Sequence, residues 1–120
     1  LKLELESKAE ALGGFHFIGA VTSVGSADSL KKLCNDIRIS HERAVVVLAA
    51  NIGGKPSIAV GLADPLAAEK AMDAGNIVKT CIASHIKGGG GGQKTLATAG
   101  GQDISGMERA IQEVRMLLSS

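Results

Sequence analysis

Five consecutive glycines, Gly88–Gly92, set the tightest limit on what this chain can fold into. A backbone without side chains reaches positive φ freely, lets another group come close, and loses more entropy on ordering than any other segment. Such a run suits either a flexible linker or a folded loop whose N–H groups turn toward an anion. It lies between two periodic apolar segments and closes on a second pair, Gly100-Gly101, which favours the folded loop. Lys87 and Lys94 bracket it, and no acidic residue falls between Asp73 and Asp103, a stretch that also holds Lys79. The surroundings of the glycines are therefore basic and fit an anionic partner, although the net charge of the chain is only +1.

The 120 residues suit a single domain able to bury a core without disulfide or metal support. At 45% hydrophobic and 21% charged residues the composition is that of a globular protein. Aromatic residues make up only 2%, so the core is built from Ala, Val, Ile and Leu, and base stacking on aromatic platforms has almost no material. Cys34 and Cys81 are too few for a disulfide framework, which makes a reduced cytoplasmic setting the default expectation. No apolar run reaches membrane-spanning length and no signal peptide is visible. A chain that begins at Leu1 reads as a fragment of something larger.

Residues 1–12 are charged, with Leu5, Ala9 and Leu12 at helical spacing and Leu1, Leu3 and Leu5 alternating as in a strand. They are read as the end of a linking helix, which could be the stub of a coiled coil, closed by Gly13-Gly14 before a domain over 13–120. Phe15 to Val24 reads as a strand. Leu30, Leu33, Cys34 and Ile37 then mark one face of a helix. Val45-Val46-Val47-Leu48, inside Ala44–Ala50, is the apolar run of a central strand, and a turn at 51–56 leads to a strand over Ser57–Ala63 that pairs with it as a hairpin. Asp64-Pro65 opens a short helix to about Asp73, which Ala74-Gly75 breaks. A second helix over Asn76–Ile86 buries Ile77, Val78, Cys81, Ile82 and Ile86. After the glycines, Leu96–Ala99 reads as a short strand, and Ser105–Glu108 as a capping box for a last helix with Ala110, Ile111, Val114, Leu117 and Leu118 inward. The order fits an α/β domain: a mixed sheet of four to five strands with helices packed on it.

Three kinds of chemistry can be weighed against these residues. A nucleotide P-loop needs glycine before its Lys-Ser/Thr and a helix after it; here Gln93 precedes Lys94-Thr95 and Leu96-Ala97-Thr98-Ala99 follows. Cys81 and His85 have a spacing that could place two metal ligands together, but two ligands are short of a zinc site and Cys81 falls on the apolar face. Asp28, Asp36, Asp64, Asp73 and Asp103 sit at helix starts or on solvent faces, where capping explains them. The residues point to no catalytic or metal site. What remains is binding through backbone and cations: Lys79, Lys87, Gly88, Gly89, Gly90, Gly91, Gly92, Gln93, Lys94 and Thr95. Contacts of that kind read shape and phosphate, and suit structured RNA better than a DNA sequence.

The stretch Ala74-Gly75-Asn76-Ile77-Val78-Lys79, the glycine run, Ala97-Thr98-Ala99-Gly100-Gly101-Gln102-Asp103 and the capped last helix together resemble the C-terminal domain of alanyl-tRNA synthetases. The same module accompanies the DHH phosphoesterases. The resemblance covers the chain from about Ala20 onward. It implies a non-catalytic domain that binds the outer corner of alanine-specific tRNA, links aminoacylation to editing and supports homodimerisation. It also implies no membrane partner and no cofactor in this segment, with ATP, magnesium and an editing zinc held elsewhere in the parent enzyme. In the phosphoesterases a His usually follows the glycines and the loop clamps a nucleic-acid end; Gln93 stands there in this chain, which favours the synthetase. The synthetases usually have Arg-Pro-Asp at that point, so Gln93-Lys94-Thr95 departs from them as well.

Overall fold

The computed structural model describes residues 10–12, 15–22, 24–41, 43–65 and 73–119. The apolar run at its centre becomes β3 (Ala44–Ile52), with β2 (Phe15–Thr22) parallel on one side and β4 (Lys55–Leu62) antiparallel on the other. Parallel neighbours need a long crossover, and helix α1 (Ala27–Ser40) supplies it. Ser26 caps α1, its Oγ accepting from the Ser29 N–H at 3.1 Å.

The sheet has six strands in the order β1-β2-β3-β4-β6-β5, all neighbours but β2 and β3 being antiparallel. The four expected strands are all present, and two arise where none was expected. Glu10–Leu12 form β1, paired with Phe15–Phe17 at the edge of the sheet, which corrects the reading of 10–12 as the end of a helix; residues 1–9 lie outside the described residues. Leu12 pairs with Phe15 across the two described strands, and the pairing, which a three-residue window of sequence does not reveal, decides for strand. Gly89–Gly92 form β5, the opposite edge, paired with β6 (Leu96–Gly100). The expected loop is therefore a strand.

Alternation along β2 to β4 divides the core between two faces. Ile18, Val46, Leu48 and Ala59 meet Leu30, Cys34 and Ile37 of α1. Phe17, Val45, Val47 and Val60 meet two helices on the other side. One is α2, α-helical over Ala74–Ile77 and widening to π-helical turns over Val78–Ile82; the other is α3 (Met107–Ser119), led in by a 3-10 turn at Ile104–Gly106. Buried Ile77, Val78, Cys81, Ile82 and Ile86 are the predicted inner face of the second helix.

Three helix starts differ from expectation. Ala74 and Gly75 do not break a helix; they begin one, because Asp73 caps it with Oδ1 accepting from the Asn76 N–H at 3.2 Å. Pro65 is helical as read, but Asp64 is already helical and so is not the cap; its Oδ1 accepts from Arg38 Nη1 at 3.0 Å, and residues 66–72 lie outside the described residues. The last helix is led in by Asp103, whose Oδ1 accepts from the Ser105 N–H at 3.0 Å, so Ser105 sits inside the 3-10 turn and is not the cap. Ala110, Ile111 and Val114 are buried as predicted and Met107 joins them, but Leu117 is 50% exposed.

Candidate nucleic-acid interface

The β5–β6 hairpin is fixed at its tip by backbone hydrogen bonds. Gln93 N–H donates to Leu96 O at 2.9 Å and closes a turn over Gln93, Lys94 and Thr95. Lys94 O accepts from the first amide of α2, Ala74 N–H, at 2.8 Å, and Thr95 O accepts from Leu62 N–H at 2.8 Å. The tip is thus tied to the start of α2 and the end of β4. The side chains of Gln93 and Lys94 stay exposed.

At the other end of β5, Lys87 holds a left-handed backbone with φ 53°, the one non-glycine residue with positive φ among those described. Gly88 N–H donates to Ala83 O at 3.0 Å, the long bond that closes a helix whose C′ residue is left-handed. Glycine usually fills that position, since other residues lose about 1 kcal/mol or more there. Lys87 keeps an exposed cation at the start of the strand instead. Asp103 is close enough to feel it: hydrogen bonds from Ser105 hold the Asp103 carboxyl below its ordinary value, and the charges of Lys87 and Arg109 add to that effect.

The glycines themselves are not equivalent. A Cβ added to Gly88, Gly90 or Gly92 would fall 2.0, 2.1 or 2.6 Å from the backbone oxygens of Gly100, Thr98 and Leu96. A Cβ on Gly89 or Gly91 would meet nothing within 4 Å. The run forms a strand because alternate glycines allow β5 to lie directly on the backbone of β6. Gly75 follows the same logic inside α2, where a Cβ would stand 3.3 Å from Gly92 O.

The predicted site residues thus fall into four places. Gly91, Gly92 and Gln93 line a groove of about 310 Å³ together with Thr98 and with Lys31 of α1. Lys87 and Gly88 sit at the opposite end of β5, and Lys79 is exposed on the π-helical part of α2. Lys94 and Thr95 hold the tip through their carbonyls. Lys31 is not among the residues that the sequence singles out. It lies about sixty residues upstream of the glycines, and on α1 it looks like any outward lysine.

Cys81 and His85 do not converge. The Cys81 side chain is buried in the core, and His85 Nε2 lies 2.7 Å from Glu113 Oε2 on α3. Burial pushes the Cys34 thiol up to about 12, against a smaller opposing pull from Arg38. Among the described residues no helix is long and apolar enough to cross a membrane.

Among the described residues the architecture is a mixed six-stranded sheet with one helix packed on one face and two on the other, ending in a backbone-only edge strand. The chain belongs to the DHHA1 domain family, whose profile matches residues 15–120. It is 33% identical over 114 residues to an alanine–tRNA ligase of Cytophaga hutchinsonii, covering 95% of this chain and 13% of that protein. It is 32% identical over 116 residues to the alanine–tRNA ligase of Shouchella clausii, covering 97% of this chain and again 13% of the relative. The crystal structure of the C-Ala domain from Aquifex aeolicus alanyl-tRNA synthetase superposes with a TM-score of 0.85 at 25% identity, covering 94% of this chain and 99% of that domain. The chain therefore matches an entire solved domain but only a small share of the full-length relatives.

Proposed function

We propose that this chain is the C-terminal domain of an alanine–tRNA ligase and that it binds tRNA at the outer corner of the molecule without itself carrying out chemistry. The observation that carries this reading is the exposed edge strand β5 with the tip that joins it to β6. It offers a backbone free of side chains, with exposed Lys87 before it and exposed Gln93 and Lys94 at its tip. A backbone-lined surface edged with lysines recognises phosphate and shape, which is how folded RNA is bound. The likeness to alanine–tRNA ligases and to a C-Ala domain supports the same assignment. Gln93, where the phosphoesterase relatives usually carry His, argues against the nucleic-acid-end clamp.

On this reading ATP, magnesium and the editing zinc belong to other parts of the parent enzyme. The domain would act as a tether that brings the synthetic and editing centres to one tRNA in the cytoplasm. Homodimerisation through the C-terminal region would use α3, where Met116 and Leu117 are exposed, and sedimentation velocity of the chain tests it.

Filter binding of alanine tRNA at two salt concentrations tests the main reading. Affinity should fall steeply as salt rises, because lysine–phosphate contacts release counterions. Lys87→Ala combined with Lys94→Ala should reduce the salt slope by roughly one for each lysine removed. No binding at low salt would exclude direct recognition.

A further inference from the structure

The five glycines of Gly88–Gly92 split into a set the fold requires and a set it does not. Gly88, Gly90 and Gly92 lie against the backbone of β6 and admit no side chain. Gly89 and Gly91 face open space, and neither has a positive φ. Glycine inside a strand weakens it, and where packing does not call for it, it marks a place where a ligand or another backbone comes close. No contact among the described residues calls for glycine at 89 or 91.

The pairing shows which surface these two positions share. Gly89 pairs with Gly100 and Gly91 with Thr98, while Thr98 pairs in turn with Ala59, which belongs to the core beneath α1. Gly89, Gly91, Thr98 and Gly100 thus form one face of the hairpin on the α1 side, a patch of sheet almost without side chains. Lys31 of α1 borders it, across the groove that also holds Gln93. Among the described residues the groove lining contains this one cation and no carboxylate.

We propose that the α1-side face of the β5–β6 hairpin is where the ribose–phosphate chain of RNA lies on the protein, with Lys31 against a phosphate and the Gly89–Gly91 backbone in van der Waals contact. It rests on the RNA-binding reading above and assigns it one face and one further residue. A polyanion fits the lysine at the border, and Gln93 and Thr98 can donate hydrogen bonds to phosphate or ribose oxygens. An extended peptide would add to the outer edge of β5 through backbone hydrogen bonds, and methyl groups standing on the face would leave that edge intact.

The test is filter binding of alanine tRNA to the parent chain, to a Gly89→Ala/Gly91→Ala double variant and to Lys31→Ala, with thermal melting of each. The double variant should melt at or slightly above the parent's temperature, since alanine at two open positions lowers the entropy of the unfolded chain, and bind at least roughly tenfold more weakly at unchanged salt slope, because the loss is one of close approach. Lys31→Ala should reduce the slope by about one. If the parent binds and both variants bind within about twofold of it at the parent's salt slope, this placement is wrong while the RNA-binding reading stands. If the parent does not bind tRNA, both fall. Lys31 is an exposed helix position, so its variant reports even if the glycine pair does not fold.

Discussion

The α1-side face of the sheet has two halves built on opposite principles. Over β2 to β4 it presents Ile18, Val46, Leu48 and Ala59, and α1 covers them with Leu30, Cys34 and Ile37. Over β6 and β5 it presents Thr98, Gly100, Gly91 and Gly89 on one continuous sheet. The first half stabilises the domain by removing apolar surface from water. The second half adds little of that kind, and for the same reason it can stay uncovered without offering an apolar patch for aggregation. A single sheet thus carries a structural half and a half available for recognition, divided by which residues have side chains.

The largest effect should come from the covered half. Leu48 is fully buried, and Leu48→Ala should cost about 3 kcal/mol from lost transfer energy plus the cavity left under α1. Urea denaturation checks this. A loss below about 1 kcal/mol would mean that α1 is loosely seated and that the two halves differ less than their composition suggests.

Alkaline pH sharpens the same contrast through Cys34, whose thiol donates toward Val46 O at 3.9 Å inside the covered half. Burial holds its folded value near 12 against an ordinary 9.0, so the unfolded chain releases this proton first as pH rises. The stability that protonated Cys34 contributes is fully present below pH 9.0 and is lost as pH rises toward 12. The slope it adds in that window is about 1.4 kcal/mol per pH unit. Comparing unfolding of the parent and of Cys34→Ala at pH 9 and pH 10 should show the parent losing more across the step.

The covered half was legible in the sequence and the bare half was not, for physical reasons. Leu30, Cys34 and Ile37 repeat at helical spacing, and Val45–Leu48 form an unbroken apolar run, so burial leaves a periodic signature there. Gly89–Gly92 have no side chains and hence no periodicity; only pairing with β6 makes them a strand. Glu10–Leu12 are charged and short, so helix and strand patterns overlapped until Phe15–Phe17 supplied a partner. The glycines, Gln93 and the lysines around them could be picked out because they cluster in sequence, whereas Lys31 reaches the groove only through the crossover of α1. Ala74-Gly75 looked like a break because glycine is poor in helices; its reason, the close approach of Gly92 O, exists only in three dimensions.

The smallest effect tests the bare half most directly. Glycine inside a strand costs roughly 0.5–1 kcal/mol relative to alanine through the entropy of the unfolded chain. At Gly91 an added methyl meets nothing within 4 Å, and its φ is not in the left-handed range. Gly91→Ala should therefore raise stability by about 0.5 kcal/mol, seen as a higher urea midpoint with an unchanged slope. The same methyl on Gly90 would strike Thr98 O and should unfasten the hairpin. A stabilised Gly91→Ala beside a destabilised Gly90→Ala would mean that the fold tolerates a side chain at one position and not at its neighbour, so that glycine at 91 answers to a contact beyond the domain. Equal losses at both positions would return the whole run to packing alone.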